Sequence, residues 1–279
     1  MTSSALLLEK LHQELAQKNF SVPSLPEITE QVRKAIDNPR CDISAVSKMI
    51  SSDPALSGKL IQASNSALFK GLQRIDDVPS AISRLGITCV KNLVLSLSVN
   101  TLFKSAKHSW AKKKLLEISN SCIEIAAISQ VFSAKFKLDP AEALLAGLLH
   151  DIGAIPIIAW CAENLGEPKD ISVIDDAIFK LSPHLSEWIL KNWNLSEDLT
   201  VIPQAVSNLA REHDKKVDYA DIVQVARIHY YRGKKHPLGQ VSWANIPVFA
   251  RMKLSPEESI LAIRSAHKEV SAIMSLLRS

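Results

Sequence analysis

The side chains of this chain best suited to chemistry are His150 and Asp151, adjacent in the run Gly147-Leu148-Leu149-His150-Asp151-Ile152-Gly153. An imidazole nitrogen and a carboxylate placed together near the end of a buried helix are both good donors to a divalent transition metal. A metal held there could generate hydroxide for phosphoester hydrolysis. Gly153 suits a helix terminus. A second pair, His213-Asp214, sits among Arg211, Glu212, Lys215 and Lys216, and these neighbours indicate a solvated surface stretch. A His-Asp dipeptide alone carries little information, so its context must decide. No glycine-rich phosphate loop, GxSxG elbow or zinc-finger spacing accompanies it.

The elements that must position the pair are helical. Leu7, Leu8, Leu11 and Leu15 recur at helical spacing. Val22-Pro23-Ser24-Leu25-Pro26 is a connector. Asp53-Pro54, Asp139-Pro140 and Ser255-Pro256 each put a capping side chain before a proline at the first helical position, where the missing N–H has no intrahelical partner to lose. Glu142 and Glu258, three residues after Asp139 and Ser255, complete a capping-box pattern. From Leu115 to Phe136 the chain lacks glycine and proline, and Leu115, Ile118, Cys122, Ile125, Ile128 and Phe132 lie on or near one face of a long helix. The segment from Asp139 to His150 is apolar nearly all round, as in a helix surrounded by others. Val201-Ile202 and Val241 are too short and too near prolines to make a sheet. The expectation is an all-α, two-lobed helical bundle, with lobes at 1–108 and 109–279 and the basic stretch Lys104 to Lys114 at the boundary.

The composition, 47% hydrophobic and 22% charged over 279 residues, allows a large core and excludes global disorder. A net charge of +4 is too small to imply nucleic-acid binding by itself. The four cysteines are widely spaced and form no CxxC pair, which reads as free buried thiols in a reducing compartment. Leu6-Leu7-Leu8 is followed by Glu9 and Lys10, too short for a signal-peptide core. The most apolar region, Ala143 to Ala162, contains His150, Asp151, Gly153 and Pro156, which argues against a membrane span. A cytoplasmic location is expected.

Beyond the His-Asp run, the chain resembles the HDOD family, helical proteins related to the HD superfamily of metal-dependent phosphohydrolases. The likeness covers Pro23-Ser24-Leu25-Pro26, Ser52-Asp53-Pro54-Ala55-Leu56 and Ala63-Ser64-Asn65-Ser66-Ala67-Leu68-Phe69. It continues through Ala81-Ile82-Ser83-Arg84-Leu85-Gly86, Ala141 to Gly153 and Trp193-Asn194-Leu195. The resemblance implies an HD-like second lobe and four metal-ligand positions: a first His, the His-Asp pair and a distal Asp. The pair matches His150 and Asp151. Asn120 falls at the first-His position, and Arg227 at the distal-Asp position. An amide is a poor ligand for a transition ion, and a guanidinium has no lone pair to give. Ser182 stands where some HD enzymes carry a further histidine, with His184 nearby. His184, His229, Asp218 or Asp221 could restore a site from other positions. Otherwise His150 and Asp151 are vestigial ligands, and Arg227 is expected to pair with Asp151 in place of the metal.

The leading expectation is therefore a noncatalytic signal-transduction or regulatory module of bacterial HDOD type, binding a small ligand or a signalling protein and needing no cofactor. HDOD proteins are frequently joined to receiver or cyclic-dinucleotide domains; none is read in these 279 residues, so input and output are expected from separate molecules. Homodimerisation through an apolar helix is compatible with this. The alternative is a metal-dependent phosphohydrolase acting on a nucleotide or cyclic nucleotide, with His150 and Asp151 holding a divalent ion. Nucleic-acid binding ranks last, because it rests on Lys104, Lys107, His108, Lys112, Lys113 and Lys114 with Trp110 the lone aromatic among them. Asn65 is a candidate ligand or partner contact, although internal structure is its preferred role, and Asp53 is expected to be a helix cap. Trp188, Trp193 and Trp243 suit core or lobe packing.

Overall fold

The computed structural model describes residues 4–66, 69, 71, 73–104, 106–214 and 216–278. Ala67, Leu68 and Lys215 lie outside the described residues. Helices account for the regular structure among the described residues, and no strand occurs there. The order is α1 (Ser4–Ala16), α2 (Glu27–Asp37), α3 (Ile43–Ser51), α4 (Pro54–Ser64), α5 (Val78–Leu85), α6 (Ile87–Leu102), α7 (Ser109–Phe136) and α8 (Pro140–Leu149). There follow α9 (Ala154–Leu165), α10 (Ser172–Asn192), α11 (Glu197–Thr200), α12 (Ile202–Ser207), α13 (Tyr219–Tyr231), α14 (Pro247–Arg251), α15 (Pro256–Ser265) and α16 (His267–Arg278).

Local signals set several of the starts. Asp53 accepts from Leu56 N at 3.0 Å and caps α4, as its Asp-Pro context requires. Ser255 and Glu258 form a complete capping box on α15. Asp139 caps α8 by accepting from Glu142 N, but the box expected there is only half made. Glu142 instead accepts from the Tyr219 hydroxyl at 3.0 Å, so a residue of α13 replaces the local partner. The α7 helix begins at Ser109, six residues before the glycine-free run suggested, so Trp110 to Lys114 are helical rather than linker.

The α7 and α8 helices cross at the centre, and α6, α9, α13 and α16 pack around them. Gly147 makes that crossing possible. A Cβ there would fall 2.4 Å from Ala126 Cα, so the two backbones touch where any side chain would intrude. Helices α2 to α6 form a second cluster, and one apolar core continues from Leu7 to Leu277. α1 packs on α10. Trp193 is buried and its Nε1 donates to Pro23 O at 3.0 Å, joining two of the motif segments. Cys89, Cys122 and Cys161 are free and buried, and burial pushes the thiols of Cys89 and Cys161 up to about 12, so they are inert at neutral pH.

Two stretches, Ser109–Phe136 and Pro140–Leu165, are long and apolar enough to cross a membrane. Of their apolar windows 72% and 78% are buried against other helices, and the second is broken by the His150–Asp151 turn. Their apolarity is thus used by the core.

Asn65 serves the loop after α4. Its Nδ2 donates to Ile61 O (2.9 Å) and Ile75 O (2.7 Å), and its Oδ1 accepts from Ile75 N (2.9 Å). Both polar atoms of the amide are engaged in tying residue 75 back to the helix end, so the residue acts as a latch. Asn65→Ala strands the Ile75 N–H and C=O, and a loss of about 2 kcal/mol is expected in urea denaturation. An unchanged midpoint would show that the latch is not needed.

Candidate functional site

His150 and Asp151 lie in the tight turn between α8 and α9, and α10 holds that turn from the side. Ser182 and Ser186, one helical turn apart and both fully buried, make the contacts: Ser182 Oγ donates to Asp151 Oδ1, and Gly153 N donates to Ser186 Oγ at 2.8 Å. Gly153 has no room for a side chain, since a Cβ would meet Ser182 O at 2.4 Å. His150 is buried, and its Nδ1 lies 2.6 Å from Gly147 O. A carbonyl can only accept, so Nδ1 carries the proton and Nε2 keeps its lone pair.

The turn opens into a cavity of about 470 Å³, lined by Lys114, Glu117, Ile118 and Ser121 of α7, by Ser172 to Pro183 of α10 in part, and by Pro203, Arg227, Tyr230 and Tyr231. Lys234, Lys235, His236 and Pro237 complete the rim. Pro183, inside α10, removes the N–H that would serve the Phe179 carbonyl, and both residues line the cavity. Tyr231 and His236 stack at 3.6 Å, Phe179 meets the His236 ring edge-on at 5.5 Å, and Lys234 Nζ lies 3.1 Å from the Tyr230 ring centre.

Burial, then the Arg227 charge, pushes His150 down to about 3, so the ring is neutral at physiological pH. Burial raises Asp151, while Arg227, Ser182 and Lys114 pull it back. His236 is pushed down to about 4 by burial, Arg227 and Lys114. For His150 the folded value lies below the unfolded 6.5, so acid favours the unfolded chain. Its contribution is intact above about pH 6.5 and is lost as the pH falls toward 3. His150→Gln is therefore expected to flatten stability against pH by up to about 1.4 kcal/mol per pH unit between roughly pH 6 and 4. Asp151, shifted upward, acts in the opposite sense in both proteins. Paired urea titrations check this, and equal slopes would refute it.

The remaining sequence candidates fall as follows. Asn120 is exposed and does not line the cavity; the α7 positions that do are 114, 117, 118 and 121, a helical stripe from which Asn120 is rotated away. Arg227 does line it, but the expected pair with Asp151 is corrected. No ion pair within 4 Å joins them among the described residues, because Arg227 Nη1 donates to Val206 O at 3.1 Å and Asp151 is taken by Ser182. Lys112 and Lys113 are exposed, whereas Lys114 pairs with Asp175 at 2.5 Å and Glu117 at 3.3 Å and faces inward. His184 is exposed and lies 2.5 Å from Gln204 Nε2. His229 contacts Ser259 Oγ at 2.9 Å and Trp243 edge-on, away from the cavity.

His213, by contrast, is not on a solvated surface. It is half-buried against Asp218 and Asp221, and the three offer ligand-type atoms within 4.8 Å of one another. Arg211 already fills the space between them. Its Nη1 lies 2.9 Å from His213 Nε2, 2.8 Å from Asp221 Oδ1 and 3.1 Å from Asp218 Oδ1, and Arg251 adds a second guanidinium at 3.1 Å from Asp221. A cluster neutralised by two arginines is an ion-pair clasp. Its donors do not suit a metal. Neither Asp218 nor Asp221 reaches the His150 cavity, so neither restores the site there.

The HDOD domain model matches residues 22–209, two thirds of the sequence. The chain belongs to the HDOD family. Among solved structures, one from Shewanella amazonensis SB2B, provisionally named a metal-dependent phosphohydrolase, superposes with a TM-score of 0.84 at 22% identity, covering 99% of this chain and 100% of that one. An HDOD domain protein of unknown function from Geobacter sulfurreducens superposes at 0.65 with 16% identity, covering 97% and 96%. A protein from Marinobacter aquaeolei VT8, provisionally named a signal transduction protein, superposes at 0.62 with 20% identity, covering 99% of this chain and 66% of that one. At these identities the likeness is one of fold. A protein of Treponema pallidum (strain Nichols), whose name assigns no function, is 25% identical over 217 residues, 73% of this HDOD chain but 40% of its own length. This HDOD chain thus spans well under two thirds of that relative.

The donor set of the HDOD cavity does not fit a divalent transition ion. His150 Nε2 and the Asp151 carboxylate are two ligands where zinc sites use three or four, and no further His, Cys, Asp or Glu among the described residues lies close enough to complete a set of three with them. The His213 cluster, whose ligand-type atoms do lie close together, is filled by Arg211 and lies elsewhere. The fixed cation Arg227 shares the cavity with the pair and would repel a second positive charge.

Proposed function

We propose that this HDOD chain is a noncatalytic regulatory module of signal transduction, which takes a small ligand, or a segment of a signalling protein, at the His150–Asp151 cavity. The observation that carries this reading is the position of Arg227, a buried permanent cation in the cavity where a hydrolase would need an anionic ligand. A neutral His150 held through Nδ1 and an Asp151 held by Ser182 are both fixed by protein partners without a metal. The cavity volume lies within the range of small-molecule sites, about 300–1,000 Å³. The inert buried thiols suit a reducing, cytoplasmic setting.

The competing reading, a phosphohydrolase acting on a nucleotide or cyclic nucleotide, makes a clear demand. With manganese or nickel added, hydrolysis of bis(4-nitrophenyl) phosphate would have to vanish in both His150→Ala and Asp151→Ala. The noncatalytic reading expects no turnover that depends on either residue. Turnover lost in both variants would sink it.

A further inference from the structure

Arg227 is more than nine-tenths buried, and its charge is only partly accounted for. One N–H, on Nη1, reaches Val206 O, while Nε is buried with no hydrogen-bond partner. The other acids of the cavity are committed elsewhere. Asp175 and Glu117 pair with Lys114, and Asp176 pairs with Lys180 at 2.9 Å. Asp151 accepts from Ser182 and acts on Arg227 only through space, with no ion pair within 4 Å among the described residues. A desolvated guanidinium with free donors is stable when a planar pair of acceptor oxygens meets its fork. At the rim, Lys235 makes no ion pair among the described residues, and Lys234 sits on a tyrosine face. Both favour entry of an anion. The remaining wall is a flat aromatic surface, Tyr231 stacked on His236 with Phe179 at its edge. A cavity of about 470 Å³ is far larger than a bare oxyanion, so the occupant has a body as well as a head.

We infer that this cavity is an oxyanion site, in which Arg227 receives the phosphate or carboxylate head of a small organic anion whose planar or apolar body lies along the Tyr231–His236 wall. The inference rests on the noncatalytic reading, because it gives Arg227 to the ligand in place of a metal. Phosphate and carboxylate share the required pair of acceptor oxygens, and the experiment separates them.

The test titrates the full chain, in chelator, with phenyl phosphate, benzoate and uncharged benzyl alcohol. Calorimetry measures binding, and proton–nitrogen spectra follow the arginine Nε–H signals. At least one acid is expected to bind saturably and to shift one Nε–H resonance, absent from the Arg227→Met spectrum. The dissociation constant should rise about tenfold or more in that variant, as loss of charge-assisted hydrogen bonds requires. Binding of phenyl phosphate alone assigns a phosphate head, and binding of benzoate a carboxylate. Failure of both acids, equal binding of benzyl alcohol, or unchanged binding to Arg227→Met overturns the inference. Should Arg227→Met not fold, an acid that leaves every arginine Nε–H of the natural protein unmoved overturns it equally. Binding that appears only when manganese replaces the chelator would defeat the noncatalytic reading as well. Absence of binding under both conditions defeats the oxyanion site alone.

Discussion

Asp221→Ala is expected to destabilise the protein by about 3–5 kcal/mol, the range for removing one partner of a buried ion pair. Asp221 is 1% exposed, and its carboxylate is the point at which three segments meet. Arg211 reaches it from the loop before α13, Arg251 from α14, and the Asp218 N–H closes the cap of α13 upon it at 3.2 Å. Removing it leaves two partly buried guanidinium groups with less compensation, and Asp218 can take over only Arg211, which it already binds. Asp221→Asn, which keeps an acceptor but not the charge, should cost less. Urea denaturation followed by circular dichroism measures both. A loss below about 1 kcal/mol, the value typical of exposed pairs, would mean that the clasp is screened and not structural.

Gly147→Ala is the second large effect. In an ordinary exposed helix the change would stabilise by up to about 1 kcal/mol. Here the new methyl falls 2.4 Å from Ala126 Cα and 2.8 Å from Ala126 N, and backbone cannot rotate away as a side chain can. The α7 and α8 helices must separate, which opens the core around both, and a net loss of about 2–3 kcal/mol is expected. The shift also moves Gly147 O, the acceptor of His150 Nδ1, so the cavity loses its fixed imidazole together with its floor. Gly58→Ala in α4 is the matched control. Nothing lies within 4 Å of a Cβ built there, and a slight gain in stability is expected. If both variants changed stability in the same direction, the close crossing would not be the cause.

The features legible in the sequence are those whose physics is local. Asp53 and Ser255 cap helices because a short acceptor before proline can serve the first free N–H groups whatever else the chain does. The all-α class, the buried stripe from Leu115 to Phe132 and the burial of His150 follow from apolar patterning in the same way. Long-range choices were hidden. Glu142 leaves its expected box for Tyr219, 77 residues away. His213 looks solvated among its charged neighbours, and becomes half-buried only because Asp221 and Arg251 come to meet Arg211. The misplacement of Asn120 is one of register. On a helix a step of one residue turns a side chain by about 100°, and Ser121, adjacent to it, is the residue that faces the cavity. Arg227 lines the cavity that holds His150, but it does not meet the partner expected for it. Backbone carbonyls such as Val206 O have no signature in a sequence, and neither does the serine that occupies Asp151.

The proposed noncatalytic reading turns on one positive side chain, Arg227, standing in the cavity at the position where the family resemblance expects the distal Asp ligand. Metal content of protein purified without chelator, measured by elemental analysis on the natural chain and on His150→Ala, tests that statement most directly. The account predicts well under one ion per chain in both, for manganese, iron, nickel and zinc alike. One tightly held ion per chain that disappears in His150→Ala would contradict it.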